Sequence, residues 1–237
     1  MKSNKKLFVI SDVHGHYTPL KEDLAQAGFD NDNEDHLLIC CGDYFDRGDE
    51  NMEVLRFFER LKHKVLLRGN HEDMLLKLLK TGKLLPHHYI NGTISTLKNI
   101  FGKYFADPVN DTIDFSGKTR ITDRICEFIE ETVDYYETEN YVFVHGWLPE
   151  NADTAEARQK TSRAAWEKAR WVKWTEQYVG QRPLADKTLV CGHVPTFYKN
   201  PTGSRRGEIY FGNGMIAIDA GTADTKQVNV LVIENEG

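Results

Sequence analysis

The strongest constraint in this chain is a recurrence. Five short apolar runs each end in a polar loop that contains glycine. Leu7-Phe8-Val9-Ile10 runs into Ser11-Asp12-Val13-His14-Gly15, and Leu37-Leu38-Ile39-Cys40-Cys41 runs into Gly42-Asp43. Val65-Leu66-Leu67 ends in Arg68-Gly69-Asn70-His71, Tyr141-Val142-Phe143-Val144 in His145-Gly146, and Leu189-Val190-Cys191 in Gly192-His193. Short β-rich runs without alternation read as strands buried on both faces. Helical patterns separate the first three. One starts at Thr18-Pro19 and runs to about Gly28, with a capping residue followed by proline in the first turn. The next, 51–63, places Met52, Leu55, Phe58 and Leu61 at helical spacing. A third lies between His71 and Gly82. Strand and helix in alternation predict a layered α/β fold.

The middle of the chain differs. Residues 83–139 carry helical stretches near 94–101 and 121–132 but no further run that ends in a polar loop, and read as a helical insertion. Residues 153–179 form another helical, tryptophan-rich stretch, and from Glu208 the pattern turns to hairpins around Asn213-Gly214. Without repeats or a flexible linker, 1–237 is expected to form one domain.

Composition excludes several alternatives. Hydrophobic residues make up 40% of the 237 and charged residues 28%, the balance of a folded globular chain rather than a disordered one. No apolar run approaches the roughly 20 residues of a membrane span. The basic start, Met1 to Lys6, is followed by only four apolar residues, too few for a signal peptide, so a cytoplasmic location is expected. The net charge of −6 argues against a nucleic-acid partner, though not against an anionic substrate. Cys40, Cys41, Cys126 and Cys191 form no CxxC pair and read as reduced, buried thiols.

The chemistry sits at the strand ends. Ligands bind beyond the carboxyl ends of strands in α/β sheets. There the sequence places Asp12, His14, Asp43, Asn70, His145 and His193. Oxygen and imidazole donors without thiolate suit Mn²⁺, Fe or Zn²⁺. Six donors exceed one tetrahedral site and fit two divalent ions about 3.5–4 Å apart. A single Asp in such a loop is ordinarily a turn former and a single His a core or surface residue. Six at once, each in a glycine-containing loop at the end of an apolar run, are not explained independently.

Three of these segments, Ser11-Asp12-Val13-His14-Gly15, Gly42-Asp43-Tyr44-Phe45-Asp46-Arg47-Gly48 and Gly69-Asn70-His71-Glu72, resemble the signature motifs of the calcineurin-like metallophosphoesterases. Asp46-Arg47-Gly48 resembles the phosphoprotein phosphatase branch, with its bacterial and phage serine/threonine protein phosphatases. Phe143-Val144-His145-Gly146, Gly192-His193-Val194-Pro195-Thr196 and the tail from Ile209 to Thr222 continue the likeness, which fades between 83 and 139. The resemblance implies a metallophosphoesterase-type β-sandwich flanked by helices. It implies that Asp12 and His14 hold one metal, that Asp43 bridges, and that Asn70, His145 and His193 hold the second. It further implies His71 as general acid, oriented by Asp46, with Arg47 and Asn70 on the phosphoryl group. A second phosphate-binding arginine is expected between the last two histidine motifs, at Arg170 between its flanking tryptophans, or else at Arg163. Proline follows at Val194-Pro195 where the wider superfamily often has a second histidine, leaving the first metal one protein ligand fewer.

The activity so implied is hydrolysis of a phosphomonoester, in a phosphorylated protein or a small phosphoester, by attack of a metal-bridging hydroxide on phosphorus. Two divalent ions, Mn²⁺ foremost, would be the cofactors. They would add positive charge that the −6 of the whole chain conceals, and part of the acidic excess exists to hold them. A diadenosine tetraphosphate or related nucleotide pyrophosphohydrolase is the alternative, since those relatives share the motifs but usually depart from Asp-Arg-Gly. An inactive scaffold would have lost ligands or His71, and all are present. Other residues have plainer readings: His87-His88 in a loop, Ser204-Arg205-Arg206 in a solvated loop, Trp166, Trp171 and Trp174 in the core or at the site mouth. His16 reads as a helix cap or a neighbour of the metal-bound water.

Overall fold

The computed structural model describes residues 5–116, 119–199 and 206–236. In chain order the first half runs β1 (Lys5–Ile10), α1 (Tyr17–Gln26), β2 (His36–Cys40), α2 (Asn51–Arg60), β3 (Lys64–Leu66), α3 (Asn70–Thr81), α4 (Pro86–Ile90), α5 (Thr93–Phe101) and α6 (Thr119–Glu130). The second half runs β4 (Tyr135–Glu137), β5 (Tyr141–Val144), α7 (Ala155–Lys160), α8 (Arg163–Ala169), α9 (Trp174–Gln177), β6 (Thr188–Cys191), β7 (Tyr210–Gly212), β8 (Met215–Ala217), α10 (Thr222–Thr225) and β9 (Leu231–Glu236).

Two mixed sheets result, ordered β3-β2-β1-β9 and β4-β5-β6-β8-β7. Within each, the three strands that lead into polar loops lie parallel: β1, β2 and β3 in one, β5, β6 and β8 in the other. The alternation of side chains across a pleat explains the layering. Leu7, Val9, Leu37 and Ile39 meet Phe143, Val190, Ile216 and Ile218 between the sheets. Phe8, Ile10, Leu38 and Cys40 face outward against Leu20, Phe58, Leu75 and Ile125 of the helices. On the far side Val142, Val144, Leu189 and Cys191 pack on Trp166, Trp174 and Leu184. The β-sandwich flanked by helices is therefore present, and strands apolar on both faces are its cause. Every loop that follows these parallel strands opens at the same end of the two sheets.

One local expectation is extended and two are corrected. Residues 83–139 carry the helices α4, α5 and α6 and end in a strand that the sequence did not mark, β4, which pairs antiparallel with β5, Tyr135 opposite Val144. This edge strand is half-buried, so it lacks the apolar run that marks the central strands. His87 and His88 stand on α4 rather than in a loop, because Pro86 starts a helical turn. The 153–179 stretch is broken into α7, α8 and α9 by extended residues at Thr161 and Lys173. The four cysteines are free, three of them buried. Of the Ser204-Arg205-Arg206 segment only Arg206 lies within the described residues, where it is exposed. No helix among the described residues is long and apolar enough to cross a membrane.

Candidate metal centre

The loops after β1, β2, β3, β5 and β6 bring Asp12, His14, Asp43, Asn70, His145 and His193 together. Tight folding of these loops shows in the backbone. Asp12, His14, Asp43, Asp46, Arg47 and His193 all adopt positive φ, between 47° and 72°. Side chains other than glycine rarely take that conformation, at a cost of about 1–3 kcal/mol each, and such strain concentrates at functional sites. The loops also touch closely. A Cβ on Gly42, itself at φ 96°, would stand 2.6 Å from the Gly69 nitrogen. Only glycine lets the second and third loops approach this far.

Asp43 is the hub. Its Oδ2 lies 3.6 Å from His14 Nε2 and 3.8 Å from His71 Nε2, and its Oδ1 lies 3.4 Å from His145 Nε2. Two groups of donors thus share it: His14, Asp43 and His71 in one, Asp43, His145 and His193 in the other. Each imidazole of His14, His145 and His193 is held by a hydrogen bond from one ring nitrogen to a backbone carbonyl, of Phe45, Cys41 and Trp171 respectively. That bond fixes the tautomer of the neutral ring and directs the other nitrogen's lone pair elsewhere. For His14 and His145 the free nitrogen faces Asp43. His145 Nε2 also lies 2.9 Å from Asn70 Oδ1. Three lone-pair-bearing atoms therefore converge with no hydrogen between them, an arrangement that a cation relieves.

Asp12 gives the same indication. Its Oδ2 accepts from Ser11 Oγ and from the His193 nitrogen at 2.9 Å, while its Oδ1 is buried without a hydrogen-bond partner among the described residues, 3.9 Å from His14 Nε2. A buried carboxylate oxygen left unpaired is costly unless a cation takes it. Burial, and the Asp43 charge beyond it, push the Asp12 carboxyl up. Burial opposes the Asp43 charge too, but the surrounding imidazoles outweigh it and hold that carboxyl below its usual range. Burial takes His14 well below its ordinary value, with Arg47 and His71 adding to the effect, and burial beside His145 takes His193 down to about 3. The unpaired Asp12 oxygen, the lone pairs of His14 and His145 that face Asp43, and Asn70 Oδ1 beside His145 fit a divalent cation at each of the two donor groups. A cation would hold the Asp12 carboxyl ionised against its upward shift.

His71 and Asp46 form a separate pair at this centre. His71 Nδ1 donates to Asp46 Oδ2 at 2.8 Å, both groups buried. Burial works against the His71 charge, yet Asp43 and the Asp46 hydrogen bond push it up to about 9. Arg47 is exposed and makes no ion pair among the described residues. Arg170 is placed differently. It is buried at the end of α8, where Nη1 reaches Asp73 at 2.8 Å and Nη2 reaches Asp134. With Arg68, Lys77 and the exposed Arg163 it lines a cavity of about 360 Å³ along α3. His16 occupies the N-cap position of α1 without a capping bond, and Lys226 Nζ sits 3.0 Å from its Nε2. Trp166 and Trp174 are core residues, the latter donating to the Val194 carbonyl at 2.9 Å, whereas Trp171 is half exposed.

Several organising residues carry no role in the sequence reading. Glu72, fully buried, accepts from the backbone nitrogens of Gly69, Asp43 and Tyr44, each at 2.9 Å, and so ties the second loop to the third. Its spacing, three residues after the N-cap Gly69, is the glutamate half of a capping box and could have been noticed. Asn51 holds the Asp46 nitrogen and the Gly48 carbonyl, and Thr93 bonds the Asp46 carboxylate. No local sequence signal marks either one.

The model of the calcineurin-like phosphoesterase family matches residues 5–224, and the chain belongs to that family. Among curated proteins it is 40% identical over 77 residues to "Serine/threonine-protein phosphatase 2" of Salmonella typhimurium, covering 32% of this chain and 34% of that one. It is 31% identical over 101 residues to "Bis(5'-nucleosyl)-tetraphosphatase PrpE [asymmetrical]" of Bacillus velezensis, covering 39% and 41%. The matched stretches thus span well under half of these curated relatives. A serine/threonine phosphatase structure from Saccharomyces cerevisiae shares the fold, with a TM-score of 0.58 at 13% identity over 98% of this chain and 80% of its own.

Proposed function

We propose that this chain is a dinuclear-metal phosphomonoesterase of the serine/threonine protein phosphatase type. The observation that carries the reading is Asp43, whose two oxygens face two separate groups of donors. Asp12, His14 and Asp43 would hold one cation, and Asp43, Asn70, His145 and His193 the other, with Mn²⁺ the first choice and Fe or Zn²⁺ possible for such donors. When bound, the pair supplies Lewis acidity toward the phosphoryl oxygens and lowers the pKa of a water that serves as nucleophile.

The protein's own groups do the rest. Arg47, exposed and unpaired among the described residues, offers a planar fork to two phosphoryl oxygens, and Asn70 offers its amide. His71, held by Asp46 through Nδ1, keeps a proton on Nε2 for the departing alkoxide. Arg170 is tied to Asp73 through Nη1 and to Asp134 through Nη2, and its buried Nε has no partner among the described residues. Arg170 is thus the anchored arginine and Arg47 the exposed one with no ion pair among the described residues. The cytoplasmic setting and a phosphorylated protein or small phosphoester substrate complete the reading.

A nucleotide pyrophosphohydrolase is the second reading, favoured by the likeness to bis(5'-nucleosyl)-tetraphosphatases. One preparation assayed with a phosphopeptide, 4-nitrophenyl phosphate and a dinucleotide polyphosphate separates the two. Chelator-sensitive, Mn²⁺-dependent release of phosphate from the first two supports the phosphatase. Preference for the dinucleotide by orders of magnitude overturns it.

A further inference from the structure

We propose that Thr93, contributed by the helical segment between β3 and β4, is a positioning residue for His71, acting through Asp46. Asp46 Oδ2 accepts from His71 Nδ1 at 2.8 Å and from Thr93 Oγ1 at 3.0 Å. The other oxygen, Oδ1, is buried with no hydrogen-bond partner among the described residues. A carboxylate tied at one oxygen to a single ring can rotate about its Cβ–Cγ bond and swing the ring with it. A second donor on the same oxygen, from a different element, removes that freedom. Thr93, Asp46 and His71 are each at most 3% exposed, so no solvent competes for the bond.

The backbone brings α5 to this point. Gly92, at φ 79°, turns the chain into the helix, and a Cβ there would stand 3.3 Å from the Arg47 nitrogen. The step from Gly92 to Thr93 therefore rests on the Asp46-Arg47 loop. The same helix is pinned to α2, where Asn99 Oδ1 accepts from the Met52 nitrogen at 3.3 Å. Next to Met52, Asn51 Oδ1 accepts from the Asp46 nitrogen at 3.2 Å. Asp46 is thus clamped by its backbone from α2 and by its side chain from α5. A first-turn threonine in a helix commonly bonds its own backbone; this hydroxyl reaches 47 positions back along the chain instead. The segment where family likeness fades thereby supplies a part of the acid-positioning machinery.

The inference rests on His71 being the general acid, and the test separates the two. Turnover of 4-nitrophenyl phosphate, whose leaving group needs little protonation, is compared with that of phenyl phosphate, whose leaving group needs more. Thr93→Val should lower kcat on phenyl phosphate about ten-fold more than on 4-nitrophenyl phosphate, the scale of one hydrogen bond to a charged group. Thr93→Ser, which restores the hydroxyl, should recover the wild-type ratio, and metal content should be unchanged in both. Thr93→Ala makes the same comparison with a smaller side chain. If Asp46→Asn shifts the ratio while the Thr93 variants leave it at the wild-type value, the inference is overturned and the acid assignment stands. Equal loss on both esters without rescue by serine also overturns it, as a structural effect. If Asp46→Asn itself leaves the ratio unchanged, the acid assignment fails first.

Discussion

His71 donates from Nδ1 to the Asp46 carboxylate at 2.8 Å and turns Nε2 toward Asp43, 3.8 Å away. One ring thus links Asp43, which both candidate donor groups share, to a second buried carboxylate that belongs to neither group. Asp46→Asn keeps the size of the side chain and removes its charge. Asp12, Asp43 and the histidines are untouched, so bound metal should stay at the wild-type level. Turnover of alkyl phosphates should fall about 10²–10⁴-fold, the usual contribution of a general acid, and 4-nitrophenyl phosphate should suffer least. Steady-state kinetics with metal analysis checks both. Full activity of the variant on alkyl phosphates would show that His71 is not the acid.

Metal removal tests the hub. A ligand bound only by the folded state stabilises it by about 2.7 kcal/mol at a hundred-fold excess over its Kd. Chelation should therefore lower the melting temperature, and Mn²⁺ should restore it. Asp43→Ala removes the carboxylate shared by both groups of donors. Its melting temperature should not respond to Mn²⁺, because the remaining donors fall into two incomplete sets. Calorimetry with and without chelator decides, and a full Mn²⁺ response in Asp43→Ala would exclude Asp43 as the bridge.

Much of this centre was legible because the physics is local. Apolar runs such as Leu7 to Ile10 must be buried on both faces, and the polar residues after them must then meet where the strands end. What the sequence conceals is of two kinds. β4 is half-buried at a sheet edge and so has no apolar signature. Thr93 and Arg170 owe their partners to distant packing: Thr93 meets Asp46 across 47 positions and Arg170 meets Asp73 across 97. The tryptophans around Arg170 pointed to a fixed guanidinium, and it is fixed, but between two carboxylates. The positive-φ residues are likewise invisible beforehand, since even Asp and His, enriched in left-handed backbone among side-chain-bearing residues, adopt it only rarely.

In the metal-free protein His71 should titrate near 9, against 6.5 for an unperturbed imidazole. Burial alone would lower it; the Asp43 and Asp46 carboxylates reverse the sign. A folded value above the unfolded one means that the protonated ring stabilises the fold. That contribution is fully present below pH 6.5 and is lost as pH rises from there through about 9. Histidine NMR of the chelated protein should show one imidazolium persisting at pH 8 and absent in His71→Gln. Denaturant midpoints of the chelated wild type should decline over the same interval more steeply than those of His71→Gln. A His71 signal titrating at or below 6.5 would contradict the carboxylate pairing.

The two arginines should separate by what they disturb. Arg47 is exposed, at φ 67°, and unpaired among the described residues, so the fold loses little when its side chain is cut. Arg47→Ala should leave the free energy of unfolding within about 0.5 kcal/mol of wild type, as surface substitutions do. It should raise KM and lower kcat together on every phosphoester, because the fork grips the group common to all of them. Arg170 behaves oppositely. Its guanidinium joins Asp73 on α3 to Asp134 just before β4. Removing it leaves Asp73 with Arg68 alone among the described residues, at 3.8 Å, and takes from Asp134 its Arg170 partner. Arg170→Met keeps the apolar stem and should cost roughly 2–3 kcal/mol, the scale of charge-assisted bonds in a partly buried site. Activity per folded molecule should then fall less in Arg170→Met than in Arg47→Ala. Unfolding curves and kinetics on both variants measure the contrast. A KM increase in Arg170→Met that matches Arg47→Ala, with stability intact, would instead place Arg170 on the phosphate.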